Sequence, residues 1–241
     1  MTTTLLGLSL LAVLLSGSAP AQARSIADYA NEDGRAPDGV LDATDDTPAL
    51  LRALGAGPGT VSIPAGSYRF GGVCVPAGVT VCGEGPATVV RSNGSKRIFH
   101  QRGVREFSIR DLTLDGEAQG PWQGRTDEGQ SGIAIELCSH FLIENVSLRD
   151  FSGPALQLSH TGVEGMPITH GGNLTGITAT GSFIGVRLDV RAEYVNAAQI
   201  HCENNLTGLV IHGGNCKVTN SNFVTNRDGI GPVSYTHLRA H

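Results

Sequence analysis

The sequence predicts an all-β solenoid, a stack of short coils, and three observations support this prediction. The composition is rich in glycine, turn residues separate short runs of Val, Ile, Leu and Thr, and a Gly-apolar-x-apolar phrase recurs along the chain. One solenoid coil takes roughly 20–25 residues. The phrase begins at glycines that are 21, 32, 23 and 21 residues apart: Gly132, Gly153, Gly185, Gly208 and Gly229.

The physical limits of one coil explain why the repeats must stack. A coil of three short strands cannot bury its own apolar face, so successive coils pack about 4.8 Å apart and share one core. We interpret the 32-residue interval as an ordinary coil with roughly ten extra residues in a loop near residues 162–172. We therefore expect parallel strands with the five glycines in one column. The alternative is an antiparallel sandwich with chance periodicity.

The composition agrees with this class and argues against others. Glycine makes up 33 of 241 residues, about twice its usual share, and lysine occurs only at Lys96 and Lys217. A formal charge of −5 without a basic run argues against a nucleic-acid partner. Arginine greatly outnumbers lysine, and its planar guanidinium suits the carboxylate of an acidic sugar.

Residues 1–23 are predicted to be a secretory signal peptide. Leu5–Leu15 is an apolar run of about eleven residues, shorter than the roughly 20 that span a bilayer. Ala21–Ala23 supplies a small-x-small cleavage site, although Met1–Thr4 lacks the usual positive charge. We therefore expect a secreted or periplasmic protein with no membrane association after cleavage.

The last nine residues, Val233–His241, match the translation of a common sequencing adapter and break the apolar pattern. We expect them to be foreign to the gene, to pack poorly, and to leave the solenoid truncated at about residue 232. The solenoid domain then covers residues 24–232. A chain cut in this way is expected to aggregate and to show little activity, because terminal coils need a polar cap.

The stretch Asp45–Gly55 is predicted to form a short helix, over about residues 46–54, ahead of coils that begin near residue 60. Asp or Thr suits the helix start, Pro48 suits the first turn, and Gly55 suits the position after the helix. The apolar stripe of this helix is formed by Ala49, Leu50, Ala53 and Leu54.

The run from Asp45 to Gly85 resembles the amino-terminal region of the pectate-lyase superfamily, in particular its pectate lyase 3 group. The matching segments are Asp45-Asp-Thr47, the helix, Gly59-Thr-Val-Ser-Ile-Pro-Ala-Gly-Ser-Tyr68 and Gly83-Glu-Gly85, while the loop before them is looser than in the family. The resemblance implies a right-handed parallel β-helix whose amino-terminal opening is plugged by the helix.

Two later segments resemble polygalacturonase-type glycoside hydrolases. Leu112–Glu117, followed by Trp122, is similar to an Ile-Asp-Gly-x-Gly…Trp stretch, which implies a carbohydrate ligand. Asn226-x-Asp228-Gly is similar to the Asn-Thr-Asp-Gly of one catalytic aspartate, which implies a catalytic role for Asp228. Arg227 replaces the threonine, and we expect the sequence to have been cut before the family's later Asp-Asp, His-Gly and Arg-x-Lys motifs could appear. A structural Asp-Gly turn is the alternative.

Strand alternation predicts which side chains face outward. The first and third residues after each glycine are apolar, so the second and fourth should point away from the core. The second-position ladder contains Arg187, and Arg191 extends the same polar face. The fourth residue after each glycine is predicted to form a row of outward side chains, namely Glu136, Gln157, Asp189 and His212. Because adjacent rungs are about 4.8 Å apart, Glu136 and Asp189 should lie roughly 10 Å apart.

This polar stripe supports three hypotheses. Asp189 and Glu136 are candidates for an acid/base pair in glycoside hydrolysis, with Gln157, His212 and Arg191 binding substrate. Alternatively, Ca²⁺ and the two carboxylates neutralise a uronate while Arg187 removes a proton, as lyases of the superfamily do. The third hypothesis is a solvated face with an ordinary Arg–Asp pair.

Two long connections are predicted to wall the groove. Residues 115–131 are too polar for core and contain the only tryptophan, so Trp122 is a candidate for stacking on a sugar ring with Arg125 nearby. A tryptophan that fixes its own loop is the alternative. The second connection, Ser159–Asn173, contains His160 and His170, whose spacing fits no metal signature.

Five cysteines are compatible with disulfides in an exported protein, and Cys74 and Cys82 are close in sequence, but an odd number leaves one free. Cysteine also fills solenoid cores as a small apolar residue.

The sequence therefore predicts a secreted, monomeric β-helix protein that acts on a polysaccharide, with a pectin-like polyuronide as the preferred substrate class. Hydrolysis is favoured over β-elimination, and no resident metal is predicted apart from Ca²⁺ in the lyase case. A non-catalytic glycan-binding or adhesive β-helix is the alternative function.

Overall fold

Every strand pair among the described residues of this computed structural model is parallel. The structure describes residues 23–118, 126, 129–159 and 168–230. Consecutive strands of a sheet are separated along the chain by most of a coil, which is the connectivity of a parallel β-helix. The solenoid prediction is confirmed, and the antiparallel sandwich is excluded.

The first sheet, called the bent sheet below, contains 11 strands. Its main path is β1 (Arg24–Ser25), β2 (Gly59–Ser62), β4 (Val79–Cys82), β7 (Ser108–Asp115), β9 (Leu142–Arg149), β12 (Asn173–Thr180), β15 (Asn196–Glu203) and β17 (Lys217–Thr219). Three further strands of this sheet are β3 (Gly66–Phe70), β5 (Thr88–Ser92) and β18 (Asn222–Val224). In their coils they take the place of the second half of a long strand: β5 pairs with the second half of β7 and with β3, and β18 pairs with the second half of β15.

The second sheet, called the front sheet, contains six strands: β6 (Arg97–Arg102), β8 (Ser131–Glu136), β10 (Pro154–Ser159), β13 (Ile184–Leu188), β16 (Thr207–Ile211) and β19 (Asp228–Ile230). A third, short sheet pairs β11 (Thr169–His170) with β14 (Ala192–Glu193). Two 3₁₀ turns, Ile26–Asp28 and Gly85–Ala87, and helix α1 (Thr47–Gly55) complete the described elements.

Each long strand of the bent sheet turns a corner at one left-handed residue. Asp111, Asn145, Gly176, Gln199 and Asn220 occupy this corner with φ between 50° and 63°. Glycine, asparagine and aspartate tolerate this backbone region best, which explains most of the column. The side-chain amide of Asn145 donates to Asp111 Oδ1 at 3.1 Å and so ties two coils together. Each complete coil therefore has three β faces around one core.

The core confirms the predicted direction of the apolar positions. The first and third residues of each front-sheet repeat are buried, which places the intervening polar side chains on the opposite, outer face. The buried residues of this set are Ile133, Ile135, Leu156, Leu158, Val186, Leu188, Leu209 and Ile211.

One member of the predicted glycine column is wrong. Leu156 pairs with both Ile133 and Val186, so Ala155, not Gly153, stands in the column with the other four glycines. Gly153 instead packs on Gly129, whose carbonyl carbon would lie 2.7 Å from a Cβ added at Gly153. Gly153 is therefore required because a side chain there would collide with the backbone of Gly129, and not because it occupies the repeat position.

Helix α1 covers the first coil as predicted, with Leu50 and Leu54 packed in the same apolar cluster as Val61 and Ile63. Asp46, at the helix start, accepts from Asn31 Nδ2 at 2.9 Å and from the backbone N–H of Arg69 at 3.1 Å. Burial raises the pKa of Asp46 despite these hydrogen bonds. The buried contacts fix the helix across the amino-terminal end of the stack.

All five cysteines lie within the described residues, and all are free thiols. Cys138, Cys202 and Cys216 are buried, as expected for small apolar residues in a solenoid core. Burial raises the pKa of Cys202 to about 12, so this thiol stays protonated. Cys74 and Cys82 do not form the disulfide considered from their spacing. None of the helices described is long and apolar enough to cross a membrane.

Candidate functional site

The outer face of the front sheet carries the polar side chains that the alternation predicted. Glu136 ends β8, Gln157 lies within β10, and Arg187 lies within β13. Asp189 directly follows β13, and its backbone N–H donates to the carbonyl of Leu158 at 2.8 Å. His212 directly follows β16 in the same way. The candidate residues of the stripe therefore share one face and lie mainly at its carboxyl edge.

The register of this ladder differs from the prediction in one coil. Gln157 pairs with Ala134 and Arg187, and Ser159 is the backbone partner of Glu136. The difference follows from Gly153, because counting from that glycine displaces the β10 residues by two positions. Because side chains alternate with a period of two, a shift of two residues leaves the Gln157 side chain on the outer face. Gln157 is therefore on the same face as Glu136 and Asp189, but Ser159, and not Gln157, lies directly between them.

Asp189 lies between an arginine and a histidine side chain, and we call these three residues the Asp189 group. Arg187 NH2 approaches Asp189 Oδ2 at 3.1 Å, and His212 Nδ1 approaches Asp189 Oδ1 at 3.3 Å. All three side chains are partly buried, with 18 % of Arg187, 22 % of Asp189 and 28 % of His212 exposed. Both carboxylate oxygens are therefore engaged while one side remains open to solvent.

Glu136 forms a similar arrangement, which we call the Glu136 group. His100 Nε2 lies 3.4 Å from Glu136 Oε1, and Arg102 NH1 lies 3.9 Å from Oε2. Only 10 % of the Glu136 side chain is exposed. His100 and Arg102 come from β6, which the sequence did not predict as a coil of the repeat because Ile98 occupies the position opposite Gly132. The inward positions of β6 are Phe99 and the buried Gln101, so apolar alternation does not mark this strand either.

The two groups repeat one chemical pattern at two levels of the stack. Glu136 and Asp189 are separated by β10, so their strands are two rungs, roughly 10 Å, apart. Each group presents one carboxylate, one guanidinium and one imidazole, and guanidinium suits bidentate recognition of carboxylates. The arrangement can bind an anionic chain that runs across the strands and can place two carboxylates along it.

The lyase hypothesis requires Ca²⁺, and the donors do not fit this ion. Ca²⁺ takes six to eight oxygen ligands, whereas each carboxylate of the stripe already has an arginine and a histidine against it. Within the described ranges, no three His, Cys, Asp or Glu side chains converge as a metal site requires.

The backbone of Arg191 lies at the turn into β14, and the backbone of Asp228 lies at the start of β19. Arg191 has a left-handed backbone with φ of 64°, and its carbonyl accepts from the Thr169 N–H at the turn into β14. Asp228 begins β19 opposite Thr207, which pairs with Ile184, so it lies at the amino edge of the front sheet. Five residues separate Ile184 from Asp189, which places the Asp228 backbone roughly 16 Å away along the strand direction.

The side chain of Asn226 has a structural role in the Asn-x-Asp-Gly motif. Its Oδ1 accepts from the Asn205 N–H at 2.9 Å, and its Nδ2 donates to the Cys202 carbonyl at 2.9 Å. The side chain of Asp228 lies outside the description, and its catalytic role stays a prediction.

Trp122 and Arg125 also lie outside the described residues. The described ends of their connection, Ala118 and Gly129, lie at the amino edge of the front sheet, before β8. The second long connection follows β10 at the carboxyl edge. The two connections therefore start from opposite edges of the face that bears the two groups.

No protein-family model matches the chain, and no curated protein matches it. Solved structures do match. The A-module of mannuronan C-5 epimerase AlgE4 from Azotobacter vinelandii has a TM-score of 0.56 and 18 % identity over 89 % of this chain. A 1,3-α-1,4-β-D-galactose-4-sulfate-3,6-anhydro-D-galactose-2-sulfate 4 galactohydrolase has a TM-score of 0.62 and 20 % identity over 85 % of this chain.

PfbA, a surface adhesin of Streptococcus pneumoniae, has a TM-score of 0.65 and 15 % identity over 83 % of this chain. The chain spans 76 % of the epimerase module, 59 % of the galactohydrolase and 57 % of the adhesin. At these identities the similarity shows the fold: the chain is a right-handed parallel β-helix, as the resemblance implied.

Proposed function

We propose that this chain is the substrate-binding and catalytic β-helix of an exported enzyme that hydrolyses an acidic polysaccharide. The observation that carries the proposal is the pair of Arg–carboxylate–His groups on the outer face of the front sheet. The enzymes among the structural neighbours named above, a galactohydrolase and a mannuronan epimerase, support a carbohydrate as the ligand. Export rests on the sequence of residues 1–23.

The glycan lies parallel to the helix axis and crosses the strands. Over two rungs, roughly 10 Å, such a chain contacts the Glu136 group and the Asp189 group together. Arg102 and Arg187 donate hydrogen bonds to the carboxylates of the sugar, and Gln157, between them, donates to or accepts from hydroxyl groups. An acidic chain is preferred because each group offers a guanidinium.

Asp189 and Glu136 divide the chemistry of hydrolysis. Asp189, the more exposed of the two carboxyls, contacts Arg187 at 3.1 Å and acts as the base that takes a proton from water. Glu136, the less exposed carboxyl, acts as the acid that protonates the leaving oxygen. Their strands are two rungs, roughly 10 Å, apart, which is just above the 6.5–9.5 Å between the carboxyl groups of inverting enzymes and well above the about 5–5.5 Å of retaining enzymes, so inversion at the anomeric carbon is expected.

β-Elimination is less well supported by the same geometry. The reaction would need Arg187 to remove a proton, but an arginine guanidinium cannot be deprotonated in proteins. Hydrolysis needs only the two carboxylates and a water molecule.

The test uses polygalacturonate and alginate with the purified product of the full-length gene, because the 241-residue chain is itself expected to show little activity. It measures new reducing ends together with the ultraviolet absorbance of unsaturated products. Asp189→Asn and Glu136→Gln are each expected to lower kcat at least roughly 10²-fold. Glu203→Gln is the matched control, since Glu203 contacts His201 at 3.3 Å on the bent sheet. Unsaturated products, or equal losses in the control, would overturn the hydrolase assignment.

Glycan binding without catalysis is the second candidate, because each of the two carboxylates is contacted by an arginine and a histidine, and a structural neighbour of the same fold is a surface adhesin. In that case no reducing ends appear, while Arg187→Ala still weakens binding of tetragalacturonic acid in calorimetry. Absence of both turnover and Arg187-dependent binding would contradict both candidates.

A further inference from the structure

A second cavity lies away from the two groups, at the amino edge of the front sheet. It is a cleft of about 550 Å³, within the size range of small-molecule sites. The loop before α1, the turn after β5, and the residues on either side of the 119–128 connection form its walls. The side chains used below are Asp42, Asp45, Arg69, Asn93, Glu117 and Gln130.

Arg69 joins the walls of this cleft and fixes its base. Its Nε donates to the Asp42 carbonyl at 3.1 Å, and NH1 donates to the Ser92 carbonyl at 2.9 Å. The guanidinium also binds both oxygens of Glu117, at 3.0 and 3.3 Å. Because these bonds exist in the empty cleft, its walls are pre-organised and binding does not require ordering them.

The rim is fixed in the same way. Asn93 Nδ2 donates to Asp45 Oδ2 at 3.0 Å, and Asn93 Oδ1 accepts from the Ser95 N–H at 3.1 Å. The turn packs so closely on the preceding coil that a Cβ added at Gly71 would lie 1.9 Å from Asn93 Oδ1. Only glycine allows this approach, so the chain is built to hold the rim in place.

The lining determines the ligand chemistry. Three carboxylates, two amides and one guanidinium offer both donors and acceptors, which suits a ligand with many hydroxyl groups. Among the lining residues three carboxylates face one guanidinium, and Arg91 Nε lies 3.3 Å from Glu117 Oε1, so the cleft keeps a small excess of negative charge that disfavours an anionic sugar, unlike the front sheet. Backbone and hydroxyl hydrogen bonds from Thr44 lower the pKa of Asp42, which keeps this carboxylate an acceptor.

We propose that the cleft is a separate binding site for an uncharged saccharide. Hydroxyl groups of the saccharide donate hydrogen bonds to Asp42 and Asp45 on the loop wall and form hydrogen bonds with Gln130 on the opposite wall. The site is independent of the acid/base chemistry of the front sheet, and its failure would leave the proposed hydrolysis untouched.

The test is calorimetric titration of the full chain with cellotetraose, maltotetraose, galactotetraose and tetragalacturonic acid. At least one uncharged tetrasaccharide is expected to bind with a Kd below about 1 mM. Asp42→Ala combined with Gln130→Ala is expected to weaken this binding at least roughly tenfold. Asp189→Asn is expected to leave it unchanged.

Asp38→Ala is the matched control, since Asp38 accepts the Val40 N–H at 2.8 Å in the same loop, as Asp42 accepts the Thr44 N–H, but lies outside the cleft. Circular dichroism confirms that each variant folds. The proposal is overturned if none of the uncharged sugars binds, if the control weakens binding equally, or if tetragalacturonic acid binds the cleft more tightly than the uncharged sugars.

Discussion

Asn205 shows how a single polar residue holds adjacent coils in register. It is 1 % exposed, its Oδ1 accepts from the Ser182 N–H, and its Nδ2 donates to the Ala179 carbonyl, both at 2.9 Å. Asn226 repeats this arrangement one coil later. The ladder satisfies backbone groups at a corner where the strands stop pairing, and a buried group without a partner is costly.

Replacement of Asn205 by alanine is therefore expected to lower the free energy of unfolding by about 2–4 kcal/mol, because it leaves the Ser182 N–H and the Ala179 carbonyl without partners. Urea denaturation followed by circular dichroism measures the loss. Asn204→Gly is the control: Asn204 is exposed with φ of 54°, and glycine tolerates that backbone. Equal losses at both positions would contradict a role for the side-chain ladder.

At the scale of elements, α1 is stabilised by its position over the first coil. A helix of nine residues is marginal alone, so its stability comes from burial of one face. Leu50 is fully buried, and its neighbour Leu51 is 49 % exposed. Leu50 and Leu51 have the same helix propensity and differ in burial. A difference between the effects of replacing them therefore measures the contribution of packing alone.

Leu50→Ala is expected to cost about 2–5 kcal/mol, and Leu51→Ala within about 0.5 kcal/mol, in the same denaturation experiment. The physical reason is the cavity left under the helix by the first change. Similar effects of the two substitutions would show that α1 does not cover the core.

The repeat and the cap helix were predictable from the sequence because both depend on local patterns. Alternating apolar residues fix the inward face, and Pro48 and Gly55 flank a periodic apolar stripe. Gly153 was misassigned because glycine serves two needs, the repeat position and close backbone contact at a turn, and the sequence does not distinguish them. The partners of Glu136 were missed because His100 and Arg102 come from a strand without the glycine.

The cleft was not predictable for a related reason. Its walls come from residues 42–45, 92–94, 117 and 130, which only the stacking of coils brings together. The carboxylates at its mouth have ordinary local roles as turn and helix-start residues, so no motif marks them.

At the scale of the whole molecule, the solenoid is nearly one-dimensional. Each front-sheet strand pairs only with the strands of the coils before and after it, as in β8, β10, β13 and β16. In such a stack, the free energy of folding is approximately the sum of the contributions of the single coils and of the interfaces between adjacent coils. A destabilising substitution in one coil should therefore mainly affect that coil and its neighbours. The cleft and the Asp189 group lie at different levels of this stack, and the cleft and the Glu136 group lie at opposite edges of the front sheet, so the two proposed sites are expected to be independent.

Leu188→Ala tests this picture, because Leu188 is fully buried in β13 and pairs with Leu158 and Ile211. The cavity is expected to raise amide hydrogen exchange in β10, β13 and β16, while β2 and β4, near α1, keep their protection. Val190→Ala, at a residue that is 53 % exposed, is the control and should change neither region. A uniform loss of protection along the whole stack would mean that the coils unfold as one cooperative unit. In that case substitutions at the Asp189 group would also affect the distant cleft, and the two sites would have to be treated as coupled.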